Sequence, residues 1–268
     1  MSSSRVAIAG LGTIGRTLAR RLADGLPGLT LTAIAARDAG KARSWLAAQG
    51  IECPIVGLDA LPQHSDLAIE CAPAEILEQI CRPMLAAGKQ VMVLSAGALL
   101  PRPDLIALAK AHGGQIIVPT GALLGLDAVA AAAEGTIHSV RMITKKPPKG
   151  LAGAPYLVAN GISVAGLSAA TRVFIGSARE AAAGFPANVN VVAALALAGI
   201  GADRTTIEIW ADPTLDRNCH TIAVDSDSAR FSLSIENIPS ENPKTGRITA
   251  LSVIAALRKM HAPISVGT

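Results

Sequence analysis

The residues best suited to chemistry stand at the start of the chain. Val6-Ala7-Ile8-Ala9 runs into Gly10-Leu11-Gly12-Thr13-Ile14-Gly15, then into Arg16-Thr17-Leu18-Ala19-Arg20-Arg21-Leu22. An apolar run, glycines spaced GxGxxG and a helical pattern make the signature of a dinucleotide-binding strand–turn–helix. Gly10 allows a tight turn, Gly12 lets a pyrophosphate approach the backbone, and Gly15 lets the helix pack on the strand. The first-turn N–H groups of that helix, at Thr13 and Ile14, face the phosphates. The competing reading is an ordinary glycine-rich turn with no nucleotide; the flanking elements argue against it. A second position reports on the cofactor. A carboxylate at the end of the next strand would accept from a ribose 2′-OH (NAD), whereas an arginine would receive a 2′-phosphate (NADP). Here Ala36-Arg37-Asp38 offers both chemistries. Arg37 is nearer the expected place, and the choice between NAD and NADP stays open.

The elements that must position these groups alternate strand and helix over the first 120 residues. Strands are expected at residues 29–35, 66–71, 90–95 and 115–118, with helices at 74–87 and 104–112. Such alternation predicts a Rossmann-type parallel sheet covered by helices on both faces. Ligands of such sheets bind at the carboxyl ends of the strands, so Ala72, Pro73, Ser95, Gly97 and Ala98 are candidate edge residues. From Gly121 the alternation ends. A helix is expected at 124–134, strands at 137–145, 172–178, 205–211, 220–225 and 230–235, and helices at 189–199 and 249–260. Residues 145–150, Lys-Lys-Pro-Pro-Lys-Gly, read as an irregular loop because paired prolines break ladder and helix alike. The pattern predicts a smaller α+β domain with a mainly antiparallel sheet over residues 121–240. Residues 241–268 are expected to return a helix to the first domain, 1–120.

Composition limits the alternatives. The chain has 268 residues, 50% hydrophobic but only 2% aromatic, so its core must be aliphatic. The longest apolar candidate for a membrane span, 191–202, is too short. No basic, signal-like start precedes the first strand. Cys53, Cys71, Cys81 and Cys219 show neither CxxC nor metal-ligand spacing, which fits free thiols in a reducing cytoplasm and no bound metal. A net charge of +4 with scattered basic residues favours anionic small molecules over nucleic acid.

The second half carries a more specific likeness. Pro119-Thr120-Gly121-Ala122-Leu123-Leu124-Gly125-Leu126-Asp127-Ala128, Thr144-Lys145-Lys146-Pro147-Pro148 and Phe185-Pro186-Ala187-Asn188-Val189-Asn190-Val191 are three of its segments. Leu197-Ala198-Gly199, Trp210-Ala211-Asp212-Pro213, Asn218-Cys219-His220 and Asn242-Pro243-Lys244-Thr245 follow in order. Together they resemble the L-aspartate dehydrogenase family over nearly the whole chain. The resemblance implies NAD(P)-dependent oxidative deamination of L-aspartate to iminoaspartate, then oxaloacetate and ammonia, with a link to NAD biosynthesis. It also implies that His220 is catalytic and that Ala122 and Asn190 contact the nicotinamide cofactor.

The chemistry fits these residue types. A histidine titrates near neutral pH and can move the amine proton, and an asparagine amide can both donate to and accept from the nicotinamide carboxamide. His64, His112, His138 and His261 read as surface or loop residues. Cys219, next to His220 on a strand, should face the other way. Asn188 is the expected helix cap and Asn190 the cofactor contact. Lys145, Lys146 and Lys149 are candidates for the two substrate carboxylates, against the plainer reading of solvated loop lysines. Two other functions compete. One is an imine or oxo-acid reductase of the dihydrodipicolinate-reductase type; against it, the second half shows no histidine with a nearby lysine and no Pro-Ser-Gly-Thr-like loop. The other is a non-catalytic dinucleotide sensor. A homodimer is the default assembly.

Overall fold

The computed structural model describes residues 3–186, 189–239 and 246–267. The expected cap Asn188 and the segment Asn242-Pro243-Lys244-Thr245 lie outside them. The chain divides into two compact units, Met1–Pro119 with Ala250–Ser265, and Thr120–Thr249 with Val266–Thr268.

The first unit runs β1 (Ser4–Ala9), α1 (Thr13–Ala23), β2 (Leu29–Ala35), α2 (Ala39–Ala48), α3 (Leu61–His64), β3 (Leu67–Glu70), α4 (Leu77–Ala86), β4 (Gln90–Val93), α5 (Pro103–His112) and β5 (Gln115–Ile117). Its strands are parallel in the order β2-β1-β3-β4-β5. The buried strands are apolar on both faces except for Glu70 at the end of β3, as a sheet sandwiched by helices favours. Ala7 and Ala9 pack with Ile80, Met84, Leu85 and Val91 in one layer. Val6 and Ile8 pack with Leu18, Leu22 and Ile34 in the other. The strand order reverses between β1 and β3, which is where open parallel sheets form their ligand crevice.

The second unit contains α6 (Leu126–Ala133), β6 (Ile137–Lys146), α7 (Pro155–Ala159), β7 (Thr171–Ser177), α8 (Ala178–Gly184), α9 (Asn190–Ala198), β8 (Thr205–Ala211), β9 (Asn218–Ser226) and β10 (Arg230–Asn237). They form a sheet ordered β10-β9-β6-β8-β7, antiparallel except for the β6–β8 pair. The last helix, α10 (Ile248–Lys259), buries Val253, Ile254 and Leu257 in the same layer as Val6 and Ile8.

The structure corrects the reading of residues 145–150. Strand β6 continues through Lys145 and Lys146, and only Pro148–Gly150 forms an irregular turn. A proline ends a ladder at its own position and leaves the residues before it free to pair. His261 is also not a plain surface residue: it packs against Gly28, and its Nε2 is buried. Among the described residues no helix is long and apolar enough to cross a membrane.

Candidate active site

The glycine turn between β1 and α1 has the shape its spacing requires. Gly10 has φ +106°, and a Cβ there would lie 2.5 Å from the Cys71 carbonyl oxygen after β3. A Cβ at Gly15 would collide with the Gly10 carbonyl, whereas one at Gly12 would meet nothing within 4 Å. Two glycines close the turn and the third leaves open space in front of it. Helix α1 begins at Thr13 with no side-chain cap and no acidic residue in its first turn. Its leading N–H groups and dipole are therefore available to an anion.

The turn sits in the switch region of the sheet. Gly10 N–H donates to Ala35 at the end of β2 (2.8 Å), and Cys71 N–H donates to Ala9 (2.8 Å). Arg37 is exposed just beyond β2. Ala72 follows β3, and its N–H donates to Glu70 Oε1 (3.0 Å). Glu70 itself is missed by sequence reasoning, although an acid closing the apolar run Leu67-Ala68-Ile69 is a readable signal. It is 0% exposed and also accepts from the N–H groups of Leu94 (3.1 Å) and Ser95 (2.8 Å), while the Ser95 hydroxyl lies 2.8 Å from both its oxygens. Burial raises the carboxyl pKa, and these donors pull the other way. Ser95 is thus turned inward, tying β4 to β3.

In the second unit the register gathers a different set. Thr144 pairs directly with His220, and Lys145 with Cys219. Residues directly opposite share a face, so Val140, Met142, Thr144 and Lys146 lie with His220, Ile222 and Val224. Lys145 lies with Cys219 on the other face, as the alternation requires. Two of the lysines named from the sequence are thereby separated: Lys146 is 5% exposed and Lys145 is exposed. His220 is 3% exposed, with Nδ1 3.2 Å from the Thr144 hydroxyl. Burial first, and the Lys146 charge second, push the His220 imidazole down to about 3. Burial alone lowers the Lys146 ammonium to about 8. The sequence shows no lysine beside a histidine in this half, but folding makes one. That removes one of the two arguments against an imine reductase.

Ala122 lies after the turn glycine Gly121, and its carbonyl accepts from the buried Asn237 side chain (2.9 Å). Asn190 is exposed as the first residue of α9. Thr144 went unnoticed in the sequence because only strand register places it beside His220.

Comparison with known proteins separates the remaining alternatives. Residues 10–119 match the family model described as homoserine dehydrogenase, NAD binding domain, and residues 127–260 match aspartate dehydrogenase, C-terminal. An L-aspartate dehydrogenase of Bradyrhizobium diazoefficiens is 56% identical over 269 residues, covering 100% of this chain and 95% of that protein. The chain belongs to the L-aspartate dehydrogenase family. L-aspartate dehydrogenase 3 of Bordetella bronchiseptica is likewise 56% identical, over 98% of this chain and 97% of its own. The crystal structure of aspartate dehydrogenase from Thermotoga maritima superposes with a TM-score of 0.75 at 26% identity, covering 98% and 99% of the two chains. Membership rests on the half containing His220 and Lys146 as much as on the nucleotide turn, which many dehydrogenases share.

Proposed function

We propose that this chain oxidises L-aspartate at Cα with NAD or NADP, giving iminoaspartate, which water converts to oxaloacetate and ammonia. The observation that carries the reading is a buried pair of basic groups, His220 and Lys146, on a mainly apolar sheet face in a chain of this family. Basic groups in such a place favour a ligand that brings negative charge.

The open space before Gly12 and the uncapped start of α1 fit a dinucleotide pyrophosphate. Gly10, Gly12, Thr13, Ile14 and Gly15 would hold it, Ala72 would line the sheet edge, and Ala122 and Asn190 would orient the nicotinamide. When bound, the nicotinamide accepts the hydride from Cα. The chain's own residues manage charge and protons. Lys146 pairs with a substrate carboxylate, which also holds its ammonium charged. His220 is neutral at physiological pH and so accepts a proton from the substrate ammonium. In the tautomer whose Nδ1–H donates to the Thr144 hydroxyl, Nε2 is the acceptor. A carboxylate at Lys146 cancels the second cause of the low His220 pKa, so its basicity rises when the amine arrives. Lys145, on the opposite face, has no part in this. The link to NAD biosynthesis rests on the resemblance.

The test is absorbance of reduced nicotinamide with L-aspartate, D-aspartate and a panel of L-amino acids, each with NAD and NADP. Reduction with L-aspartate alone is expected. Silence with every amino acid, despite binding of reduced cofactor, would overturn the assignment in favour of an imine reductase.

A further inference from the structure

The residues around the end of β2 decide which dinucleotide the first unit prefers. Gly10 N–H donates to Ala35 at 2.8 Å, so the tip of β2 lies against the phosphate turn, where the adenosine ribose of a bound dinucleotide is read. The residue at that tip is Ala36, which has no acceptor for a ribose hydroxyl. The nearest carboxylate, Asp38, is engaged elsewhere. It is the N-cap of α2, accepting from Lys41 N–H at 2.9 Å, and its other oxygen lies 3.5 Å from Lys41 Nζ. That cap holds the side chain toward its own helix. Between them Arg37 is exposed and, among the described residues, makes no hydrogen bond or ion pair. Further positive charge stands on α1, where Arg16 and Arg20 both stack on Trp45, at 5.4 and 5.2 Å from the ring centroid.

We infer that this chain is selective for NADP, with Arg37 as the residue that recognises the 2′-phosphate. A guanidinium presents paired N–H donors that match phosphate oxygens, and the doubly charged group makes such bonds stronger than neutral ones. NAD would find neither the acceptor its 2′-OH needs nor a use for the arginine. This inference rests on the nucleotide-binding part of the proposed function and not on aspartate as substrate.

The experiment is equilibrium binding by calorimetry, without amino acid, of NADPH, NADH, 2′,5′-ADP and 5′-AMP. Wild type is expected to bind NADPH at least tenfold more tightly than NADH, and 2′,5′-ADP more tightly than 5′-AMP. Arg37→Ala should weaken NADPH and 2′,5′-ADP by roughly 10- to 100-fold and NADH by less than threefold. Ala36→Asp should reverse the preference by placing a carboxylate against the 2′-phosphate. Arg37 is exposed and Ala36 is partly buried against the core layer of Val6 and Ile8, and thermal melts of the variants check that they fold. Equal affinities in wild type, equal losses in Arg37→Ala, or no binding of either nucleotide would overturn the inference. Discrimination without aspartate turnover would sink the substrate assignment and leave this inference standing. Turnover without discrimination would do the reverse.

Discussion

Two buried ionisable sites near strand ends, Glu70 in the first unit and His220 with Lys146 in the second, are handled in opposite ways. Glu70 in the first unit is surrounded by donors: three backbone N–H groups and the Ser95 hydroxyl converge on one carboxylate. His220 in the second has one hydrogen-bond partner among the described residues, the Thr144 hydroxyl, and a buried ammonium as its neighbour. A buried polar group with its bonding capacity filled acts as a brace, because removing it strands its donors. Two buried bases whose charged forms are both disfavoured act as a receptor, because an incoming anion improves their surroundings. The first arrangement serves the fold. The second lowers stability and suits an incoming anion.

The largest expected effect that separates them is on turnover. His220→Ala should lower kcat with L-aspartate by about 10² to 10⁴, the usual range for a positioned proton acceptor. Calorimetry should meanwhile find cofactor binding retained, since the glycine turn belongs to the other unit. Lys146→Met should act on substrate binding instead, raising KM for L-aspartate by roughly 100-fold, as expected for removing one partner of a buried charge pair. The same variant should be more stable than wild type. The ammonium pKa falls from 10.5 to about 8 on folding, so the folded chain holds its proton less well. Stability is therefore reduced throughout the range below pH 8 and is recovered as pH rises from 8 to 10.5. At pH 7 the shift corresponds to about 3 kcal/mol. Chemical denaturation of Lys146→Met at pH 7 checks the sign.

Glu70→Gln should go the other way, losing about 2 to 3 kcal/mol in chemical denaturation because the amide turns an N–H₂ toward backbone donors. A variant of the brace that gained stability would erase the distinction between the two regions. The smallest effect is in acid. The His220 pKa falls from 6.5 to about 3 on folding, so its contribution to stability is intact above pH 6.5. It declines as pH falls through that window, by about 2 kcal/mol at pH 5. His220→Gln should be correspondingly less acid-sensitive in thermal melts.

Local signals made some of this legible in the sequence. Strands β2 and β8 were readable to the residue because their β-branched, apolar runs end at breaks. The glycine turn was readable because each of its glycines meets a different steric demand. Helix α2 was not: Ala39-Gly40-Lys41-Ala42-Arg43-Ser44-Trp45-Leu46 buries only Ala42 and Leu46, too narrow a stripe to show a period. Helix α8 escaped although Ser177 and Glu180 form a reciprocal capping box that its sequence spells out. At the site, the opposite orientations of Cys219 and His220 followed from strand alternation alone. The approach of Lys146 to His220 did not, because it depends on how β6 and β9 register across 74 positions of chain, a tertiary fact that no local pattern encodes.

The part His220 plays as hydride leaves Cα of L-aspartate is tested by label transfer from L-[2-²H]aspartate to nicotinamide, followed by mass spectrometry in single-turnover reactions of wild type and His220→Ala. Deuterium on the reduced nicotinamide with wild type, appearing at least 100-fold more slowly with the variant, is the expected result. No label on the cofactor, or equal rates in the two proteins, would contradict the account.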